Sequence, residues 1–319
     1  MVRTTDDGTE GPRVRAGAVR GEDPARAAAG DREQSEALTH TPLFHAEHAD
    51  RYERQRIIAH YQEVTGANLI VVLDQIGYAN MTVLEDLLVD CAPAKDLHLL
   101  LASPGGDGET ALRMVRSMQE RCHELTVIVP DMAKSAATIL CLGAHHILMG
   151  PGGDLGPIDP QMVTADENGQ PVQFSSAKEI VAAVQEAEKR ITENPASFTL
   201  YASLLSTVDM LAVEQARSAL SRSDSLMAES LKAQGDRTDD DVKSLVASLH
   251  DPLIDTPTSH AAVFCADDGL RFGLPVVKAD TTGEQWRLIW NLWTRYFAMG
   301  CWPAGTKSVY EGVRASRVV

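Results

Sequence analysis

The chain has 319 residues, 45 of them acidic and 29 basic, and its formal net charge is −16. This charge argues against a nucleic-acid-binding protein, because phosphate contacts need clustered lysine and arginine, and against a polybasic membrane-surface protein. The apolar content of 44% is ordinary for a globular protein, and the length permits one large domain or two modest ones.

Cysteine usage and the absence of long apolar stretches indicate the compartment. The five cysteines form no Cys-x-x-Cys pair, which favours reduced thiols over a disulfide framework or a zinc ribbon. No signal-peptide h-region lies at the N-terminus, and the longest apolar stretch, 136–144, is far shorter than the roughly 18 residues that cross a bilayer. We therefore expect a cytoplasmic protein without membrane association, metal or other cofactor.

Strand and helix patterns alternate after a polar N-terminal segment. Residues 1–40 are predicted to be a disordered tail, because no Ile, Leu, Phe, Tyr or Trp occurs up to Glu36, and residues 41–319 are predicted to form one domain. Within it, the patterns predict helices at 46–66, 81–91, 107–122 and 134–144, and strands at 68–74, 96–106, 125–131 and 145–150. Such alternation implies crossover connections and a mainly parallel sheet.

Helical periodicity dominates after about residue 170. It predicts helices at 175–193, 198–234 and 283–299, with a short mixed region at 260–278. In the last helix, Trp286, Trp290 and Trp293 recur at i, i+4 and i+7, a spacing typical of a core or subunit-interface stripe.

Three segments of this alternation carry residues suited to chemistry. In Ser103–Asp107 (SPGGD), between a strand and a helix, glycines allow close backbone approach and free N–H groups can hold an anion. Ser135 lies among small residues where a strand passes into a helix, and the N–H of Ala136 can stabilise an oxyanion. The third segment, 153–161 (GDLGPIDPQ), is a rigid loop after the next strand. Each has an ordinary alternative, a simple turn for the two loops and a helix cap for Ser135.

In combination and in this order, the motifs resemble the Clp/crotonase-type serine peptidases. The resemblance is greatest to the serine dehydrogenase proteinase family, relatives of signal peptide peptidase A. It is carried by LHLLLASPGGDGETALRMV, AKSAATILCLGAHHILMGPGGDLGPIDPQ and, more loosely, SHAAVFCADDGLRFGLPV, and it covers roughly residues 50–300. It implies an α/β fold of the Clp/crotonase type, a ββα spiral with a mainly parallel sheet and a helical C-terminal part.

The resemblance also implies a reaction and a set of site residues. A peptidase of this family would cleave peptide bonds with Ser135 as its nucleophile. The backbone N–H groups that bind the oxyanion would come from Gly105 or Gly106 and from Ala136, two helix starts that converge on one developing charge.

The base that activates the serine is less clear from the sequence. Clp-type members have a histidine about 25 residues after the serine, but this chain has none in that region. The resemblance to the signal peptide peptidase relatives, which use a lysine, implies a lysine base, and a desolvated lysine can be neutral near pH 7. Lys178, 43 residues after Ser135, is favoured because this separation is close to that of relatives with a Ser-Lys dyad. Lys134 is the second candidate, while Asp159 and His260 are possible supporting groups.

The family further implies a homo-oligomer that acts on a peptide or protein. Two alternatives stay open. One is a non-catalytic oligomeric assembly or binding protein on the same fold, with the tryptophan-bearing C-terminal helix as its interface. The other is a crotonase-like acyl-CoA enzyme, although no basic cluster for the CoA phosphates is evident in the sequence.

Overall fold

The computed structural model describes residues 40–165, 171–206, 208–257, 259 and 261–319. By their contacts the residues form two units, Met1–Asp50 and Arg51–Val319. In the first unit a short helix, α1 (Pro42–Glu47), begins where the Thr41 side chain accepts a hydrogen bond from the Phe44 N–H. The predicted tail lies outside the described residues, apart from His40. The sheet and the candidate site belong to the second unit.

Strands and helices alternate through the first half of the chain, and helices follow. The strands are β1 (Asn68–Leu73), β2 (Leu97–Ala102), β3 (Leu125–Val129), β4 (Met132–Ala133), β5 (His146–Met149), β6 (Asp154–Leu155), β7 (Gln161–Ala165), β8 (Pro171–Ser176), β9 (Phe264–Cys265), β10 (Val276–Lys278), β11 (Val309–Glu311) and β12 (Ser316–Val318). The helices after α1 are α2 (Ala49–Thr65), α3 (Asn80–Leu88), α4 (Gly108–Gln119), α5 (Ala136–Leu142), α6 (Ala177–Glu193), α7 (Phe198–Leu204), α8 (Met210–Ala233), α9 (Asp239–His250), α10 (Ala266–Arg271) and α11 (Glu284–Ala298). A 3-10 turn (Pro195–Ser197) precedes α7, and a π-helical turn (Asp251–Asp255) follows α9.

The central sheet has seven strands in the order β10-β5-β3-β2-β1-β11-β12. Each neighbouring pair from β10 to β1 is parallel, and only β11 and β12 are antiparallel to their neighbours. The mainly parallel α/β sheet predicted from the alternation of patterns is therefore confirmed. Two small sheets accompany it, β4-β6-β9 and the β7-β8 hairpin.

Each central strand contributes side chains to two hydrophobic cores, one on each face of the sheet. Because successive residues of a strand point to opposite faces, Ile70 joins the core beneath α3, α4, α5 and α8, whereas Val71 joins the core beneath α2 and α11. Leu99 and Leu100 on β2 divide in the same way. Strands buried on both faces appear as continuous apolar runs, which is why β1 and β2 were predictable.

The second half of the chain departs from the sequence expectations in its helix boundaries and in its short strands. The helix predicted over 198–234 is two helices, because the Asp209 side chain accepts a hydrogen bond from the Ala212 N–H at 2.7 Å and starts α8 there. The short strands β7, β8, β11 and β12 were not predicted. In α11, by contrast, the core position predicted for the tryptophan stripe is confirmed for Trp286 and Trp293, which are buried beside the sheet, while Trp290 is about half exposed. None of the helices in the described residues is long and apolar enough to span a membrane.

Candidate active site

Ser135 occupies a tight turn between β4 and α5. Its φ of 51° and ψ of −116° are close to the roughly +60° and −120° of the first central residue in a type II′ turn. The Ala137 N–H donates to the Lys134 carbonyl at 2.9 Å, which closes this turn. Among the described residues Ser135 is the only one other than glycine with a positive φ.

The conformation of Ser135 is strained and its hydroxyl is not used to cap the helix. A non-glycine residue in such a region costs on the order of 1–3 kcal/mol, and such strain persists where the surrounding structure imposes it. Although Ser135 is the N-cap residue of α5, its side chain makes no capping hydrogen bond. The helix-cap alternative for Ser135 is therefore wrong, and its half-buried hydroxyl is left for another role.

The SPGG turn lies directly against this serine, as the order of the motifs predicted. A Cβ atom placed on Gly105 would lie 2.7 Å from Ser135 Cβ and 2.7 Å from the Lys134 carbonyl oxygen. The two segments are joined as extended chains, because Ser103 N–H donates to Met132 O and Lys134 N–H donates to Ser103 O, both at 3.0 Å. On the other side, Ile76 N–H donates to the Gly105 carbonyl at 2.8 Å.

The hydrogen bonds distinguish the two glycines as donors to an oxyanion. Gly105 N–H donates to Ser103 Oγ at 3.1 Å and is therefore engaged within its own turn. In the described part of the chain, neither Gly106 N–H nor Ala136 N–H has a hydrogen-bond acceptor. For Ala136 this follows from its place as the first residue of α5, since the first N–H groups of a helix have no partner within the helix.

Lys134 is next to Ser135, but its side chain is bound elsewhere. Its Nζ donates to Asp154 Oδ2 at 2.5 Å, to Ala262 O at 3.1 Å and to Leu155 O at 3.3 Å. These three acceptors account for all three N–H bonds of an ammonium group. Burial raises the pKa of the Asp154 carboxyl, and the adjacent Lys134 opposes that rise. Lys134 therefore ties the Ser135 turn to β6.

Lys178 lies in the first turn of α6, and its ammonium is held by the segment after α9. Its Nζ donates to Asp255 O at 2.6 Å, to Pro257 O at 2.6 Å and to Ile254 O at 3.1 Å. None of the hydrogen bonds in the described residues joins Lys178 to Ser135. The structure thus brings Ser135 and Gly105 together but holds Lys178 on three backbone carbonyls.

Asp159 fixes the start of the helix that carries Lys178. Its Oδ1 accepts from Ser176 Oγ at 2.8 Å, and Ser176 in turn caps α6 by accepting from the N–H groups of Lys178 and Glu179. The Ala177 N–H donates to Pro160 O at 2.9 Å in the same loop. Through Ser176, Asp159 therefore helps to position the first turn of α6, which carries Lys178.

The sequence did not single out several residues that shape the site. Asp154 and Ile76 hold Lys134 and the SPGG turn, and Thr138 Oγ1 donates to the carbonyls of Ala133 and Gly156 at 2.9 and 2.8 Å. Except for the contact between Thr138 and Ala133, these residues act on partners 18 or more positions away in the sequence. No local pattern therefore signals their role. His260 lies outside the described residues. Within the described ranges, no group of three metal-ligating side chains is close enough to hold an ion.

Comparison with curated proteins gives two archaeal relatives, both described only as uncharacterized proteins of Methanocaldococcus jannaschii. MJ0137 is 35% identical over 68 residues, which are 21% of this chain and 24% of that protein. MJ1495 is 30% identical over 66 residues, 21% of this chain and 23% of that protein. The chain therefore spans about a quarter of the length of the curated relatives it matches.

Two solved structures are also similar over part of the chain. A serine-to-alanine mutant of the 1510-N membrane-bound stomatin-specific protease is 18% identical, with a TM-score of 0.28 over 36% of this chain and 57% of that one. A lysine-to-alanine mutant of the same protease, in complex with a substrate peptide, is 22% identical with a TM-score of 0.26 over the same shares. Scores this low support no inference about this chain.

A family model provides the more specific match. It describes the ClpP-like SDH-type serine proteinases and matches residues 50–179. That range contains the SPGG turn and Ser135, which lie in two of the three segments that carried the resemblance in the sequence, and it also includes Lys178. Over residues 50–179, which are less than half of the chain, the protein is thus similar to the ClpP-like SDH-type serine proteinases.

Proposed function

We propose that this protein is a serine peptidase with Ser135 as its nucleophile. The observation that carries the proposal is the conformation of Ser135, strained at φ 51°, free of capping and next to Gly105. A serine at a tight strand-to-helix turn exposes its hydroxyl above a helix N-terminus, where backbone N–H groups can stabilise negative charge. The family match over residues 50–179 supports the same reaction class.

The proposed reaction proceeds through an acyl-enzyme. Ser135 Oγ attacks the carbonyl carbon of the scissile peptide bond, and the resulting oxyanion accepts hydrogen bonds from Gly106 N–H and Ala136 N–H. The serine proton passes to a base and then to the leaving amine as the C–N bond breaks. Water hydrolyses the ester in the second half of the reaction and restores the serine. Two preorganised N–H donors of this kind typically contribute several kcal/mol each to the transition state.

We assign the base to Lys178, with one condition that the structure imposes. A lysine acts as a base only as the neutral amine, whose lone pair must face the serine hydroxyl. Three carbonyl acceptors stabilise the ammonium and leave no lone pair, so Lys178 must leave the 254–257 carbonyls before it accepts the proton. Lys134 is not proposed as the base, because removing its proton would leave Asp154 without its cation.

We further propose that the substrate is a peptide or protein and that the active form is a cytoplasmic homo-oligomer. The substrate class and the homo-oligomer follow from the resemblance to the family, whereas the cytoplasmic location follows from the cysteine usage. The net charge of −16 is expected to disfavour strongly acidic substrates.

Labelling by a fluorophosphonate, together with hydrolysis of a fluorogenic peptide library, tests the proposal. We expect labelling of the folded chain at Ser135 and its complete loss in Ser135→Ala. A folded chain that is never labelled, or that is labelled at another residue, would show that the proposal is wrong. A folded chain that is never labelled would favour the non-catalytic alternative. In that alternative Lys178 would serve only to hold the 254–257 carbonyls.

A further inference from the structure

Helix α7 and the first turn of α8 present an apolar surface. Five large apolar side chains on this surface are each 59–71% exposed: Phe198, Leu200, Leu204, Met210 and Leu211. We call this set the α7 surface. Single exposed apolar residues are common on proteins, whereas five large ones within 14 residues are typical of an interaction site.

Helix α7 lacks the internal support that a short helix needs. It has seven residues and none of them is buried. Isolated helices shorter than about 12–15 residues are marginal in water, and most helices in proteins are stabilised by packing an apolar face. The apolar face of α7 therefore needs a partner surface to pack against.

The charge distribution indicates what kind of partner fits. Between Asn194 and Val213 the chain has one charged residue, Asp209, whereas 23% of all residues are charged. A partner that binds through basic groups would find almost no carboxylate here, and an anionic bilayer would be repelled by the net charge of −16. Two copies of an acidic chain repel least where both surfaces are uncharged.

The area is also of the right order for contact between copies. Five large side chains about two-thirds exposed offer on the order of 500 Å² of apolar surface. A standard stable interface buries about 800 Å² per partner, and the half-buried Tyr201 and Leu205 lie within the same helical segment. In a two-fold symmetric dimer the same patch serves both partners, so one apolar surface is sufficient.

We propose that the α7 surface is where two copies of this chain associate. The proposal places the self-association on α7 and not on the tryptophan helix α11, whose Trp286 and Trp293 are buried within one copy. It rests on the homo-oligomer proposed above but does not depend on the chemistry of Ser135.

Sedimentation equilibrium on the full chain tests this placement. The test variant is Leu204→Glu/Leu211→Glu, and the matched control is Val89→Glu, at a residue 72% exposed on another helix end. We expect the wild type and the control to form dimers or larger assemblies, and the double variant to have a dissociation constant at least 100-fold higher, as burial of two unpaired carboxylates implies. A monomeric wild type would overturn the self-association, and an oligomer unaffected by the double variant would overturn its location.

Two further measurements keep these outcomes separate from folding and from catalysis. Hydrogen exchange should show α7 amides protected in the wild type and unprotected in the double variant, with the rest of the chain unchanged. If the α7 amides exchanged equally fast in the wild type and in the double variant, the result would count against the proposal. Fluorophosphonate labelling of Ser135, measured in parallel, reports separately on the peptidase. If the wild type proved monomeric and floated with phosphatidylglycerol vesicles, the partner of the α7 surface would be a membrane and not a second copy.

Discussion

Gly105 and Ser135 approach so closely that residue 105 has no room for a side chain. A Cβ atom at position 105 would lie 2.7 Å from Ser135 Cβ, and the φ of Gly105 is +106°, which non-glycine residues rarely adopt. Contact between the two turns sets the position of the serine relative to the N–H groups of Gly106 and Ala136. The spacing between the proposed nucleophile and the proposed oxyanion donors therefore depends on this glycine.

Gly105→Ala should abolish labelling and hydrolysis by displacing the serine turn. A shift of about 1 Å in a catalytic group can cost on the order of 100-fold in rate, and we expect at least that loss in fluorophosphonate labelling. The matched control is Gly235→Ala, which has a φ of +85° but nothing within 4 Å of the added Cβ. The control introduces backbone strain without a close contact, and we expect it to keep full labelling. Full labelling of Gly105→Ala would contradict the role of the close contact between Gly105 and Ser135.

Relief of the strain at Ser135 should raise stability while removing activity. We predict that Ser135→Gly and Ser135→Ala are both inactive, but that Ser135→Gly has a free energy of unfolding about 1 kcal/mol higher than Ser135→Ala. The strain of about 1–3 kcal/mol is relieved only by glycine, whose greater flexibility in the unfolded chain offsets part of the gain. Urea denaturation of both variants measures the difference. If Ser135→Ala proved the more stable, the serine would not be strained.

Lys178→Arg separates a base from a structural anchor. Arginine keeps the positive charge and can donate to the carbonyls of Ile254, Asp255 and Pro257, but it does not lose its proton near neutral pH. We expect activity to fall by at least 100-fold with the free energy of unfolding changed by less than about 1 kcal/mol. Lys189→Arg on the exposed side of α6 is the control. Undiminished hydrolysis by Lys178→Arg would restrict Lys178 to anchoring.

The difference between Ser135 and Lys178 shows which parts of the site the sequence can predict. The Ser135 turn was predictable because its glycine and small-residue neighbours are local and end apolar strands. The partners of Lys178 were not, because its three carbonyls come from residues 76–79 positions away. The same limit applies to β11 and β12, which are three residues each and lack an apolar run. The start of α8 is different, because the Asp209 cap bonds an N–H only three residues on and is a local signal.

Lys134→Met should destabilise the protein, since it leaves Asp154 largely buried without a cation. The side chains of Lys134 and Asp154 are only 9% and 14% exposed, and breaking such a pair costs about 3–5 kcal/mol. Lys232→Met, which breaks an exposed pair with Asp239, should cost less than about 1 kcal/mol. The double variant Lys134→Met/Asp154→Leu should recover part of the loss. Equal denaturation midpoints for Lys134→Met and Lys232→Met would refute the anchoring role of Lys134.

His98 should make the protein less stable as the pH falls from about 6.5 to about 4. Burial lowers the pKa of His98 to about 4, from an ordinary value of 6.5, and its Nδ1 shares a 2.6 Å hydrogen bond with Tyr61 Oη. Since the folded pKa is below the unfolded one, the unfolded chain binds the proton first, and the stabilisation present above pH 6.5 is lost as the pH falls.

At pH 5 the expected loss through His98 is about 2 kcal/mol relative to pH 7, from 1.36 kcal/mol per pKa unit. Urea denaturation at both pH values measures it. His98→Gln should have a correspondingly shallower dependence on pH, which would assign the effect to this buried imidazole. Identical pH profiles for His98→Gln and the wild type would mean that His98 titrates alike in the folded and unfolded chains.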